Sequence, residues 1–235
     1  MRAAIVIPTY NEKENIIPLL RSILSQKVAA ALEIIVVDDN SPDGTGLLID
    51  EESKLHQEIS CIHRKGKLGL GSAYREGFRT ALSRGADAIV GMDADFSHSP
   101  KYLPALLAGT AHADLVIGSR YIKGGGQKGC SLGRRILSRG ANALARLLLA
   151  LPTRDATSGF RCYTRAVFDR IDLSTVRSDG YSFLVEMVVR CRRAGLTIRE
   201  VPIIFENRTR GASKISRREV WHGMMTILHL LFRRF

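Results

Sequence analysis

Residues 3–37 read AAIVIPTYNEKENIIPLLRSILSQKVAAALEIIVV. The segment opens and closes on almost continuously apolar runs, Ala3 to Ile7 and Glu33 to Val37. Strands that lack polar alternation are buried on both faces, as in parallel sheets. Between the runs, Ile16, Ile17, Leu20, Ile23 and Leu24 recur at helical spacing, and Asn11 with Glu14 three residues on predicts the helix N-cap. The stretch is therefore a strand, a helix and a second strand. Outward from it, Ser41-Pro42-Asp43-Gly44 predicts a turn into a polar helix, and Leu70, Ala73, Tyr74, Gly77, Phe78 and Ala81 keep helical spacing. Ala88 to Met92 and Leu115 to Ile117 add strands. The expected class is α/β, with a mainly parallel central sheet and helices on both faces, where ligands bind beyond the carboxyl ends of the strands.

The second half is less regular. Gly124 to Gly126 predicts a flexible loop, followed by a basic amphipathic stretch from Arg134 through Arg139 and Arg146 to Leu147 to Leu151. A helix is expected over Ser182 to Ala194, closed by Gly195, then a strand at Ile198 to Phe205 and a basic, apolar helix from Glu219. No repeat or linker divides the chain, so 1–235 reads as one domain. The longest apolar runs are five residues, far short of the ~20 that cross a bilayer, so neither a transmembrane helix nor a signal peptide is expected.

Charge is divided unevenly. Met1 to Ile117 carries 12 Lys+Arg against 15 Asp+Glu, and Gly118 to Phe235 carries 23 against 8, with arginine supplying 20 of the 23. Arginine's planar fork suits phosphates and carboxylates, so the second half expects an anion: nucleic acid, a membrane surface or a phosphorylated small molecule. Cys61, Cys130, Cys162 and Cys191 show no CxxC pair and read as reduced, mostly buried thiols of a cytosolic compartment. The histidines at 56, 63, 98, 112, 222 and 229 show no metal-ligand spacing, and no Ser/His/Asp pattern supports a hydrolase.

The sharpest motif is Asp93-Ala94-Asp95, directly after an apolar strand. Carboxylates at i and i+2 of extended chain point the same way and can share Mg²⁺ or Mn²⁺, which would carry a diphosphate; turn-capping aspartates are the plainer alternative. Asp38-Asp39 ends the preceding strand, where one carboxylate could accept from a nucleobase while the other braces the loop, although any tight turn uses the same residues. Pro8-Thr9-Tyr10-Asn11-Glu12 could seat a nucleoside, with Glu12 accepting from a ribose hydroxyl, or form only a strand-to-helix turn. Lys65 to Gly71 is glycine-rich but lacks the spacing of a phosphate loop. Asn207 to Lys214 places three cations around Gly211, suited to closing over a diphosphate or to solvent alone. Arg134, Ser138 and Arg139 share a stretch on which a phosphate or a lipid headgroup could be held. Asp155 reads as part of a capped turn, and Glu186, set among apolar residues, needs a partner such as an arginine.

In order, PTYNEKEN, VVDDNSPDGT, GKLGLGSAYREG, MDADFSHSP, GSRY, RRILSRGAN, TSGFRCY and NRTRGASK resemble the polyprenyl-phosphate (dolichol-phosphate) mannosyltransferases over nearly the whole chain. The resemblance implies a GT-A type fold with amphipathic interface helices, and inverting transfer of mannose from GDP-mannose to a polyprenyl or dolichyl phosphate. It places Pro8, Tyr10, Glu12, Val37 and Asp39 at nucleoside positions and Asp93, Ala94 and Asp95 at the metal and diphosphate. Arg120, Arg208 and Lys214 fall on donor phosphate and sugar contacts, Arg208 among the catalytic residues, and Arg134 and Ser138 at the acceptor phosphate, to which the shared stretch adds Arg139. Where some relatives have a glutamine as a further metal ligand, this chain has Ser97. Peripheral attachment to the cytoplasmic side of a membrane is expected, through the basic amphipathic segments or a separate membrane subunit. The rivals are the same fold using UDP-glucose, and a nucleic-acid-binding protein. The second is disfavoured by 6% aromatics and the acidic first half.

Overall fold

The computed structural model describes residues 1–207 and 230–231. In chain order the elements are β1 (Arg2–Thr9), α1 (Ile16–Leu24), β2 (Ala31–Asp38), α2 (Thr45–Leu55), β3 (Ile59–His63), α3 (Leu70–Ser83) and β4 (Ala88–Gly91). A 3-10 turn at Pro100–Tyr102 leads into α4 (Leu103–Gly109), then β5 (Leu115–Ser119), β6 (Gly126–Lys128) and α5 (Leu132–Leu148). The remainder is β7 (Arg161–Thr164), α6 (Arg165–Arg170), α7 (Gly180–Arg193), β8 (Ile198–Pro202) and β9 (Ile204–Glu206).

Seven strands form one sheet in the order β3-β2-β1-β4-β7-β5-β8. All neighbours are parallel except β7, which runs antiparallel between β4 and β5. Alternate residues of β1 feed two cores: Ala4 and Val6 pack with Tyr74, Phe78 and Phe183 from α3 and α7, while Ala3, Ile5 and Ile7 pack with Leu19, Leu20 and Ile23 of α1. A side chain at Gly77 would drive its Cβ to 2.3 Å from Val6, so the glycine sets how closely α3 lies on the sheet.

The chain steps from β1 outward to β2 and β3, then returns across the sheet to β4 on the other side of β1. The strand order therefore reverses between β1 and β4, the place where a parallel sheet opens a ligand crevice at its carboxyl edge. The loops leaving β1, β2 and β4 each hold one non-glycine residue in the left-handed region, Asn11, Asn40 and Phe96.

Three local expectations need correction. Asn11 is not the cap of α1: it turns left-handed at φ 58°, Glu12 O accepts from Asn15 and Ile16 N–H, and the helix starts a turn later. Gly126 belongs to a strand, pairing with Ile204 in a second, two-stranded sheet of β6 and β9. The expected strand Ile198 to Phe205 is consequently two. β8 leaves the main sheet at Pro202, whose ring nitrogen cannot donate, and Ile203 bridges by donating to Ser119 O and accepting from Gly126 N–H.

Candidate active site

The loops after β1 and β2 are laced together. Asp38 accepts from Thr9 Oγ1 at 3.0 Å, Ser41 N at 2.9 Å and Ser41 Oγ at 2.5 Å, so this carboxylate braces the turn. Asn11, Glu12 and Lys13 donate their backbone N–H to Ser41 Oγ, Thr45 Oγ1 and Asp43. The neighbouring Asp39 is 6% exposed. One of its oxygens takes a guanidinium N–H of Arg64, and the other accepts from Leu68 and Gly69 N–H at 3.2 and 3.3 Å. The glycine-rich stretch thus folds around Asp39, and Gly69 can make the turn because it sits at φ 97°. Lys67 reaches back over the Tyr10 ring, 4.3 Å from its centroid. Pro8 and Val37 are register partners, with the Val37 side chain in the core.

Across the crevice, Asp93 and Asp95 follow β4. Asp95 is buried and its Oδ1 accepts from Ser97 N–H at 3.0 Å around left-handed Phe96, while Asp93 is half-buried. Ala94 is buried in the core. The Asp93 backbone N–H donates to His98 Nδ1 at 3.0 Å. The same ring nitrogen lies 3.7 Å from the Asp93 carboxylate. His98 is buried, stacked on Phe160 at 5.1 Å and edge-on to Phe205 at 6.0 Å. Tyr74 OH lies 3.4 Å from Asp93 Oδ1, and burial, reinforced by that carboxylate, pushes its phenol well above the ordinary value.

The pair suits a hard divalent cation in its donor chemistry. Both ligands are carboxylate oxygens, a Cβ at Gly159 would come within 3.3 Å of Asp93 Oδ1, and Ser97 Oγ is buried with no partner among the described residues. Among the described residues, no third His, Cys, Asp or Glu completes a compact cluster with these two. The one such cluster is Asp50, Cys61 and His63 on the sheet's outer edge. Burial pushes the thiols of Cys162 and Cys191 up to about 12, which removes them as nucleophiles.

A line of contacts joins this crevice to α5. Phe205 carries the Arg120 guanidinium 5.4 Å from its ring, Arg120 lies 5.1 Å from the Tyr121 ring, and Tyr121 OH donates to Ser138 Oγ at 2.6 Å. Arg120 is clamped by both oxygens of fully buried Asp155 at 2.7 Å, so the capped turn at Asp155 proves to be the seat of this arginine. Arg134 donates to Asn207 Oδ1 at 3.0 Å, and the Arg139 guanidinium lies 5.8 Å from the Tyr121 ring. Asn207 opens the expected cationic loop; Arg208 and Lys214 lie outside the described residues, as does the segment from Glu219 to His229. Glu186 has the arginine it needed, Arg190 at 2.7 Å.

Several functional supports escaped sequence reasoning. Arg64 and His98 hold Asp39 and Asp93; Arg64 lies in none of the motifs quoted above, and His98, although inside MDADFSHSP, was given no role. Asp179 accepts from Gly71 N–H at 2.6 Å from 108 residues away. Arg161, fully buried in β7, donates to the carbonyls of Ala156, Ser158 and Leu184 and so fixes the strand behind Gly159. Arg161 lies within TSGFRCY, but nothing in that motif announces its contacts with distant carbonyls.

A family model described as glycosyl transferase family 2 matches residues 4–172. The chain is 43% identical over 228 residues to the polyprenol monophosphomannose synthase of Mycolicibacterium smegmatis, covering 96% of this chain and 85% of that one. It is 44% identical over 216 residues to the undecaprenyl-phosphate mannosyltransferase of Micrococcus luteus, covering 92% and 88%. Among solved structures, glucosyl-3-phosphoglycerate synthase from Mycobacterium tuberculosis with Mn²⁺, UDP and phosphoglyceric acid superposes with a TM-score of 0.70 at 19% identity, covering 100% of this chain and 80% of that one. The same enzyme with Mn²⁺, UDP-glucose and phosphoglyceric acid gives 0.69 at 20%, covering 100% and 81%. The fold is GT-A-like, as expected. With its reversed strand order, its carboxylate pair beyond β4 and a match over most of its length, the chain belongs to glycosyl transferase family 2.

Proposed function

We infer that the chain, acting as one unit, transfers mannose from GDP-mannose to a polyprenyl phosphate with inversion, releasing GDP. The carrying observation is that Asp93 and Asp95, at the crevice, connect through His98, Phe205, Arg120 and Tyr121 to Ser138 on a cationic helix. Two anions, a sugar diphosphate and a lipid phosphate, need such a division of labour. The names of the two relatives support mannose and a polyprenyl phosphate.

Asp93 and Asp95 would hold Mg²⁺ or Mn²⁺, which when bound neutralises the diphosphate and assists its departure as a Lewis acid. Tyr10 and Glu12 take the nucleoside beside the backbone of Pro8 and Val37, and Asp39 offers its remaining lone pairs to the base. Arg120, with Arg208 and Lys214, faces the donor diphosphate and sugar, and the backbone of Ala94 passes beneath it. Arg134, Ser138 and Arg139 receive the acceptor phosphate. A phosphate monoester has its second pKa near ~6, so the nucleophile is already a dianion at neutral pH and needs no general base. The residues have only to orient two anions and screen their repulsion.

The lipid acceptor also needs a route out of its bilayer. Among the described residues no helix is long and apolar enough to cross a membrane. Instead α5 exposes Leu132, Ile136, Leu137, Leu144, Leu147 and Leu148 beside its arginines, the character of a helix lying in an interface. The chain docks peripherally through this face, alone or beside a membrane subunit. The test is transfer of labelled sugar to a short polyprenyl phosphate in detergent, from GDP-mannose and UDP-glucose in parallel, with Mg²⁺, Mn²⁺ or EDTA. Labelling from GDP-mannose, abolished by EDTA, is expected; labelling from UDP-glucose alone would overturn the donor.

A further inference from the structure

Around α5, at about 3.6 residues per turn, residues separate into three faces. Asn142 and Ala145 are buried inward, and Ile136, Leu144 and Leu147 stand outward, 63%, 41% and 78% exposed. Arg135, Arg139 and Arg146 fall between them. On this third face opens a cavity of about 430 Å³, lined by Tyr121, Arg139, Asn142, Ala143, Arg146 and Arg154.

Among the described residues three guanidinium groups line the cavity and no carboxylate does. Among the described residues none of the three arginines is in an ion pair, although Arg21, Arg64, Arg84, Arg120 and Arg190 all are. Like charges gathered without a counter-charge repel one another, and an anion between them relieves the repulsion. The wall carries a second unmet demand. Asn142 is 3% exposed; its Nδ2 donates to Ser138 O and Thr157 Oγ1, both at 2.9 Å, while its Oδ1 has no donor. A buried acceptor of this kind calls for a hydroxyl.

The geometry points to a second anion site, centred on Arg146 and Arg154 and sharing only Arg139 with the acceptor phosphate: a subsite for the phosphate of an anionic membrane lipid whose headgroup also carries hydroxyls. It rests on the reading of α5 as the membrane-docking face. With the outward leucines in the acyl boundary, the arginine face and its cavity stand at headgroup depth, and an anchored headgroup would fix the rotation of α5 while the acceptor is presented to Ser138.

The test is co-sedimentation of the full chain with phosphatidylcholine vesicles doped with phosphatidylglycerol or, at equal mole fraction, phosphatidylserine, at about 0.15 M salt. Tighter binding to phosphatidylglycerol is expected, with a loss of about 30-fold in Arg146→Gln/Arg154→Gln. Lys128→Gln/Arg135→Gln, which removes the same charge outside the cavity, should lose severalfold less. Equal losses in the two double variants, or no headgroup preference in the unmodified chain, would overturn the proposal. Titration with inorganic phosphate and with glycerol phosphate separates the two sources of the same anion. Saturation by inorganic phosphate as tight as by vesicles would make this a free-phosphate site and overturn the lipid assignment. Mannose transfer in neutral detergent should be unchanged in Arg146→Gln/Arg154→Gln; its loss there would merge the cavity with the reaction site and also overturn the proposal. Were the chain to transfer no mannose at all, vesicle binding would still report on the cavity, so the two readings fail separately.

Discussion

Asp38 and Asp39, at the carboxyl edge of β2, are held in place by donors from their own protein; among the described residues Arg139, Arg146 and Arg154, on and beside α5, have no carboxylate partner. The first region is a set of loops cross-linked by side chain to backbone bonds, so a nucleotide bound there as proposed would meet groups already in place. Among the described residues the second presents cations in no ion pair beside exposed leucines. On the proposed function, the contrast would separate a site for a small, soluble, defined ligand from a surface for a lipid phase.

The comparison can be broken most sharply at the crevice. Asp93→Asn/Asp95→Asn should lower the rate of transfer by at least about a thousandfold, since several kcal/mol of charge stabilisation go with the ligands. Circular dichroism should be unchanged, and single-turnover labelling reads the loss. An active double variant would remove the carboxylates from the chemistry. Next, Arg64→Met leaves Asp39 buried without its cation, a loss of about 3–5 kcal/mol on the scale of broken buried pairs. A lower denaturant midpoint and a raised KM for the donor are expected, with little change in acceptor KM. A selective rise in acceptor KM would mean the two regions are not separate. On the other side, Ile136→Ser/Leu147→Ser should weaken vesicle binding about tenfold or more through lost apolar burial. Transfer in detergent should stay intact, and equal vesicle binding would show that α5 does not dock.

The smallest effect concerns Glu186. Burial alone would raise its pKa, but the Ser178 backbone N–H and Arg190 outweigh burial and hold the carboxyl below its ordinary value. A depressed carboxyl stabilises the fold above the ordinary glutamate pKa of about 4.3 and stops doing so as pH falls through its lower native value. Glu186→Gln should therefore be less stable by about 1–3 kcal/mol at pH 7, with the gap closing below about pH 4. Thermal melts across that range measure it, and a gap independent of pH would mean the charge contributes nothing.

Much of the crevice was legible because its parts are local. Asp93-Ala94-Asp95 and Asp38-Asp39 each follow a strand within a few residues, and apolar periodicity alone puts both at the same sheet edge. What escaped is the long-range bracing. His98 belongs to the Asp93 loop, yet nothing in its spacing announces a stack on Phe160, and the Asp155 clamp on Arg120 spans 35 residues. The split of one apolar run into β8 and β9 also depended on partners, Ser119 and Gly126, that no local pattern reveals. The open arginines of α5 were visible as charge but not as a cavity, because Arg154 joins Arg139 and Arg146 only in the fold.

The central claim is that the nucleophile is a lipid phosphate delivered to a cationic site that supplies no base. Its most direct measurement is the initial rate of mannose transfer from GDP-mannose to a short polyprenyl phosphate, with the unphosphorylated polyprenol as the parallel acceptor, from pH 5 to 9. The account predicts transfer to the phosphate alone, with a rate that rises through the phosphate's own pKa near ~6 and then stays level to neutral pH and above. Transfer to the free alcohol, or a rate governed by a protein group titrating well above that value, would contradict it.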